Sequence, residues 1–277
     1  MNARTCLLAL IALIALIVLL TACSSAPPRN PMAKWEHSAN HDARRPIIIV
    51  IHATEQKSVA QSLETLRTAN SGGPVSAHYL IGRDGALYQL VSDERRAWHA
   101  GGGRWGTITD LNSASIGIEL DNDGSADFPP KQIDALIALL TDLCDRLYIP
   151  RSQVIAHADM APTRKRDPSA RFPWQQLADA GFGLWPSPDA PAAPAGFDAW
   201  LALAAIGYPL EDPQAALRAF RRHFRGIEMP LDALLEADTE DTRVLYSLTA
   251  ALRPSVALPA ATSSLRLQDD AMHRGRR

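Results

Sequence analysis

Hydrophobic positions along this chain fall into blocks of different period. "RRPIIIVIHAT" holds five consecutive branched aliphatics, Ile47 to Ile51, ending at His52. A run with no polar face predicts a strand buried on both sides. "SVAQSLETLRTAN" instead spaces Val59, Leu63 and Leu66 for a helix, with Ser58 as N-cap and "SGGP" as the stop. "SAHYLIGRDGALYQLV" reads as a hairpin, two strands joined across "GRDG". In "SIGIEL", Ile116, Ile118 and Leu120 alternate with Gly117 and Glu119, which predicts a strand with two unlike faces. "PPKQIDALIALLTDLCDRL" predicts a helix with Pro130 in its first turn. Ile133, Leu136, Ile137, Leu140, Leu143, Cys144 and Leu147 make its apolar face. "QVIAH" adds a short strand carrying His157. Strands interleaved with helices predict an α/β domain over residues 35–185.

The two ends of the chain follow other patterns. Arg4 precedes the uncharged run "CLLALIALIALIVLL", and "TACSS" follows it. That order reads as an export signal, because the run falls short of the roughly 20 residues of a membrane span and ends in small residues. "LTAC", Leu20 to Cys23, resembles the lipobox of bacterial lipoproteins, in which the signal is cut before a cysteine that is then acylated. The resemblance implies a signal over 1–22, a lipid on Cys23, and a tether over 23–34 that includes "APPRNP". Ser24 rather than aspartate after the cysteine resembles lipoproteins sorted to an outer membrane; an uncleaved anchor would export the same residues. Beyond the domain, "PSPDAPAAPAG" over 186–196 is a Pro/Ala linker. "FDAWLALAAIGY", "PQAALRAFRRHF" and "DTRVLYSLTAAL" then predict three short helices within 197–252. The stretch 253–277 has no periodicity and is expected to be disordered.

Composition adds limits. With 47% hydrophobic and 21% charged residues and a net charge of −2, the chain is globular in type and lacks the basic surplus of a nucleic-acid binder. Of its three cysteines, Cys6 lies in the signal and Cys23 takes the lipid, so Cys144 has no disulfide partner and reads as core filler.

Chemistry-bearing residues gather where strands end. His52 and His157 each close a predicted strand, the end at which α/β sheets assemble sites, and Asp167 follows ten residues after His157. Two imidazoles and a carboxylate would leave a tetrahedral zinc with one open position, and zinc lowers the pKa of water toward about 7. No HExxH motif links these residues, so spacing alone leaves ordinary core or surface histidines open. Glu119 is a carboxylate in mid-strand, costly unless it lines a cleft or finds a partner, and a general base would be such a case. Lys165, two residues before Asp167, would share its face in an extended segment and could stabilise an oxyanion. A salt-bridged strand glutamate and a solvated basic loop, Arg164 to Arg166, stay open as alternatives.

Four blocks bear on those alternatives together. "IIIVIHAT", "VSAHYLIGRDGALYQLV", "RAWHAGGGRWGTITDLNSASIGIEL" and "IAHADMAPTRKRDPSARFPW" resemble, in this order and spacing, the zinc-dependent N-acetylmuramoyl-L-alanine amidases of the type-2, peptidoglycan-recognition-protein-like family. The resemblance implies an α/β fold with a central mixed sheet flanked by helices, and a small C-terminal three-helix module. It implies one Zn2+ per chain on His52, His157 and Asp167, Glu119 as general base and Lys165 as the oxyanion-stabilising cation. His78, Tyr79, Trp98 and His99 match blocks that line the cleft floor and its rim, His99 as a substrate contact or a packing residue. Asn112 matches a position near the substrate peptide, so substrate binding is expected of all five. Gly103 departs from the family, whose members often carry serine there. The missing arginine after Trp105 is a second departure, and both bear on stem-peptide contacts. The C-terminal helices resemble a peptidoglycan-binding module, a packing appendage being the alternative. The expectation is an exported, lipid-anchored monomer at the outer membrane. It would hydrolyse the amide between N-acetylmuramic acid, or its anhydro form, and L-alanine of peptidoglycan or muropeptides in wall turnover. A non-catalytic peptidoglycan-binding protein and a zinc peptidase acting within the stem are the rivals.

Overall fold

Ile48–Ala53 forms a strand that is buried at every position in a computed structural model describing residues 29–43 and 46–252. Cover on both faces is what a run without polar positions requires. The strand lies inside a six-stranded sheet. From edge to edge the order is Lys34–Trp35, Leu87–Gln89, Tyr79–Ile81, Ser115–Leu120, Ile48–Ala53, Val154–Ala156. Neighbours pair in parallel except for the hairpin of Tyr79–Ile81 with Leu87–Gln89, so the sheet is mixed. One detail of the aliphatic run is corrected: Ile47 precedes the strand and is 46% exposed.

Register decides where the site lies. Val50 pairs with Gly117, Ile51 with Ile118 and His52 with Glu119. On the other side Ala156 pairs with Ile51, so the chain leaves the edge strand at His157 beside His52. Parallel pairing thus brings residues 105 positions apart in sequence to the same end of the sheet.

Helices cover this sheet. Pro130–Leu147 buries Ile133, Leu136, Leu139, Leu140, Leu143 and Cys144 in one cluster with the aliphatics of the central strands. Ile137 and Leu147, read as part of that face, are only partly buried, and Leu139 lies deeper. Gln132 is also buried, because its amide donates to the carbonyls of Ile81 (2.9 Å) and Asp121 (3.1 Å). Burial pushes the Cys144 thiol up to about 11, which suits an inert core residue. Val59–Arg67, capped by Ser58, places Leu66 in a second cluster with Leu80 and Leu90.

Ala199–Ile206, Pro213–Arg225 and Thr239–Ala251 are the three C-terminal helices, each capped by an aspartate: Asp198, Asp212 and Asp238. Leu203, Phe220 and Leu245 from these helices join the cluster that holds the central strands, so one apolar core runs through both parts. Among the described residues no helix is long and apolar enough to cross a membrane. The signal over 1–22, Cys23 and the tail over 253–277 lie outside the described residues.

Candidate active site

Three donor atoms meet at the C-terminal ends of the central strands. His52 Nδ1 lies 2.9 Å from His157 Nδ1 and 3.4 Å from Asp167 Oδ2, and His157 Nδ1 lies 3.1 Å from that oxygen. All three residues are buried. A tetrahedral cation with ligands at about 2.0–2.1 Å holds its donors about 3.3 Å apart. The triangle therefore fits one zinc-sized ion, and two imidazoles with a carboxylate are a donor set such an ion accepts.

Backbone orients one of the rings. His157 Nε2 lies 3.1 Å from the Ala100 carbonyl oxygen, which can only accept, so Nε2 carries the proton and Nδ1 keeps its lone pair for the triangle. His52 Nε2 sits 2.9 Å from His99 Nδ1, and His99 Nε2 lies 3.3 Å from Ser115 Oγ. Burial, followed by the charge of His157, lowers the pKa of His52 to about 4, which leaves the ring neutral near pH 7. Burial by itself would raise Asp167, but His157 and His52 overcome it and hold this carboxyl well below the usual range.

Glu119 approaches the triangle from the next strand, its Oε1 4.0 Å from His52 Nδ1. Oε2 is buried and has no hydrogen-bond partner among the described residues. Burial foremost, then the charge of Asp167, raises this carboxyl to about 8, against the lowering effect of Lys165. An unsatisfied buried carboxylate oxygen costs about 1–3 kcal/mol or more, a cost that a bound water or ligand would remove. Glu119, Lys165 and the triangle all line one open cleft of about 590 Å³. Such a cleft can hold a cation, take a proton at Glu119 and set a positive charge beside a reacting carbonyl.

Lys165 gets there by a different route from the extended segment that its spacing suggested. The amides of Arg164 and Lys165 both donate to the Ala161 carbonyl (3.0 and 2.9 Å), so a turn carries the lysine into the cleft. Trp98, His99 and Asn112 line the cleft as well. The Asn112 side-chain oxygen accepts from the amides of His99 (3.0 Å) and Ala100 (2.8 Å), which ties it to the loop. His78 and Tyr79 do not reach the cleft, contrary to the substrate contacts expected of them. His78 is fully buried, accepting from Gly117 N–H (2.9 Å) and lying 3.0 Å from the Arg95 carbonyl, with its ring edge-on to His99 behind the cleft floor. Tyr79 is fully buried too, its hydroxyl donating to Asp93 (2.7 Å).

Glu55 went unnoticed in the sequence. It lines the cleft with φ 51° and burial raises its carboxyl, but a left-handed backbone at a non-glycine residue leaves no mark in local composition. Gly103 has a steric reason: a Cβ there would stand 2.6 Å from the Met160 carbonyl oxygen, so serine has no room. Gly117 is similarly constrained, a Cβ falling 2.4 Å from the His99 ring. Gly117→Ala is expected to displace His99 and cost about 1–3 kcal/mol of stability by overpacking. Urea unfolding checks this, and a loss below about 0.5 kcal/mol would show that the ring gives way freely.

Comparison with known proteins agrees with this geometry. Residues 42–170 match the family described as N-acetylmuramoyl-L-alanine amidase. The chain is 37% identical to N-acetylmuramoyl-L-alanine amidase AmiD of Escherichia coli over 234 residues, covering 73% of this chain and 81% of that protein. Among solved structures, E. coli AmiD with the substrate anhydro-N-acetylmuramic acid-L-Ala-D-gamma-Glu-L-Lys is similar at TM-score 0.63 and 34% identity, covering 83% of this chain and 93% of the other. AmpDh3 of Pseudomonas aeruginosa in complex with anhydromuramic pentapeptide is similar at TM-score 0.64 and 29% identity, covering 84% and 98%.

Proposed function

Because the chain belongs to the N-acetylmuramoyl-L-alanine amidase family, we propose that it cuts the amide between the lactyl carbonyl of N-acetylmuramic acid, or its anhydro form, and L-alanine, using one zinc on His52, His157 and Asp167. The observation that carries this assignment is the donor triangle with, beside it in one cleft, the Glu119 oxygen that has no hydrogen-bond partner among the described residues. The anhydromuramyl peptides bound in the AmiD and AmpDh3 complexes support an anhydro-muropeptide as ligand.

A zinc ion in this triangle would supply a lowered water pKa and a polarised carbonyl. Glu119, held among low-dielectric surroundings, accepts the proton of the attacking water and later passes it to the departing L-alanine nitrogen. The value of about 8 belongs to the metal-free site; a dication held by His52, His157 and Asp167 would favour the ionised carboxylate, the form that accepts a proton. Lys165 places its ammonium where negative charge develops on the carbonyl oxygen. Trp98 and Asn112 form part of the wall against which the substrate is set.

Residues 35–185 are assigned as the amidase domain, 186–196 as the linker and 197–252 as the helical unit. The signal and lipobox pattern supports export with a lipid on Cys23, and our reading is of a monomer held at the periplasmic face of the outer membrane, where wall fragments are met. The deciding experiment is mass spectrometry of muropeptides incubated with the protein, with and without a zinc chelator. Free stem peptides beginning at L-alanine, lost on chelation, are expected. Intact fragments despite bound zinc would favour a binding protein, and cleavage inside the stem a peptidase.

A further inference from the structure

Asp159 is buried to 1% exposure two residues after His157, in the short helix His157–Met160. A buried carboxylate needs donors, and this one has three. Ala156 N–H donates to Oδ2 at 2.8 Å, His223 Nδ1 lies 2.6 Å from the same oxygen, and the Tyr208 hydroxyl donates to Oδ1 at 2.8 Å. Only the first comes from the amidase domain. The His223 ring is fixed in turn by stacking on Trp174, with ring centroids 3.8 Å apart and planes at 17°.

The loop that carries Asp167 is tied to the same unit. Arg166 donates to Glu228 at 2.6 Å, and Glu228 also accepts from the buried Arg222 at 2.9 Å. The two segments join directly, Ala158 N–H donating to the Asp167 carbonyl at 2.9 Å. The turns that present His157 and Asp167 are therefore both held from the C-terminal helices, with the buried Asp159 cluster carrying more than the half-exposed Arg166 pair.

We propose that Tyr208 and His223 are positioning residues for the metal-holding turn. They clamp Asp159 and thereby fix His157 Nδ1 at its place in the donor triangle, so the C-terminal helical unit sets metal affinity whether or not it also binds wall. This rests on the zinc site proposed above. Removing either donor leaves the Asp159 carboxylate underpaired in a dry site, and the turn must shift to rehydrate it. Groups hydrogen-bonded directly to a metal ligand are worth about 10–100-fold in metal affinity, and Tyr208 and His223 act one residue further out, so a loss of about 10-fold is expected of each.

Chelator-competition titration of zinc against the full chain tests the proposal, with melting of the metal-free protein as a fold check. Tyr208→Phe removes a hydroxyl without changing shape, His223→Leu removes the ring donor, and His223→Asn restores a donor near Nδ1. Glu211→Gln removes the charge from the exposed 2.9 Å pair with Arg104, a contact between the same two parts of the chain that does not involve Asp159. Tyr208→Phe and His223→Leu are expected to weaken zinc binding about 10-fold, with His223→Asn recovering much of the loss and Glu211→Gln staying near wild type. Unchanged affinity in Tyr208→Phe and His223→Leu overturns the proposal. So does an equal loss in Glu211→Gln, which would mean general loosening of the fold. Wild-type protein that takes up no zinc would instead remove the metal site itself.

Discussion

Replacing Glu119 by glutamine is expected to lower kcat by about 10²–10⁴-fold, the span that a positioned general base contributes, while zinc stays bound. Glutamine fills the same space beside His52 and cannot take a proton, so the loss isolates the proton transfer from the shape of the cleft. Steady-state kinetics with zinc content measured on the same sample decides the matter. Near-normal turnover in a zinc-loaded variant would remove Glu119 from the mechanism.

The same substitution carries a pH signature in the metal-free protein. Glu119 holds its proton in the fold up to about 8 and loses it near its ordinary 4.5 when unfolded. Between those values the folded state binds more protons, so stability falls as pH rises. His52 acts in the opposite sense, its folded value of about 4 lying below its ordinary 6.5, so its contribution to stability grows as pH rises between those values. The two oppose each other between about 4.5 and 6.5, and from there to about 8 the Glu119 decline is no longer offset by His52. Urea unfolding of metal-free wild type is expected to show that decline above pH 6.5, and Glu119→Gln to flatten it. A wild-type curve already flat over that window would contradict the burial argument.

Asp167→Asn is expected to lose zinc more severely than any change to the residues around the ligands, by more than about 100-fold in affinity. Asparagine keeps the size of the side chain but removes the charge, which is what holds a dication against two neutral imidazoles. Activity falls with zinc occupancy. A ligand present at 100 times its Kd stabilises the folded state by about 2.7 kcal/mol, so zinc should raise the melting temperature of wild type and leave that of Asp167→Asn almost unmoved. Retention of stoichiometric zinc by this variant, with the same thermal gain, would place the ion elsewhere.

What the sequence determined by itself is mostly local. Ile48 to Ile51 have no polar neighbour to turn toward water, so burial on both faces follows from composition, and the helix Pro130–Leu147 follows from its period and its proline. Capping by Ser58 is equally local, since an N-cap side chain reaches only about three residues ahead. The site residues stood out through the order and spacing of four blocks, because family likeness records contacts that periodicity does not. His78 and Tyr79 show the limit: both lie in a matching block, yet the hairpin turns them into the core, where Gly117 and Asp93 take their polar atoms.

Tertiary structure alone decided the convergence. His52 meets His157 because two strands pair in parallel with Ala156 opposite Ile51, and Glu119 joins them because the next strand sets it opposite His52. A strand's hydrophobic pattern fixes which face is buried, but which distant strand it pairs with, and in what register, is decided when the sheet assembles. The same holds for Asp159, whose partners Tyr208 and His223 lie 49 and 64 residues further along. A buried carboxylate is satisfied by whichever donors packing delivers, and only the folded chain shows which those are.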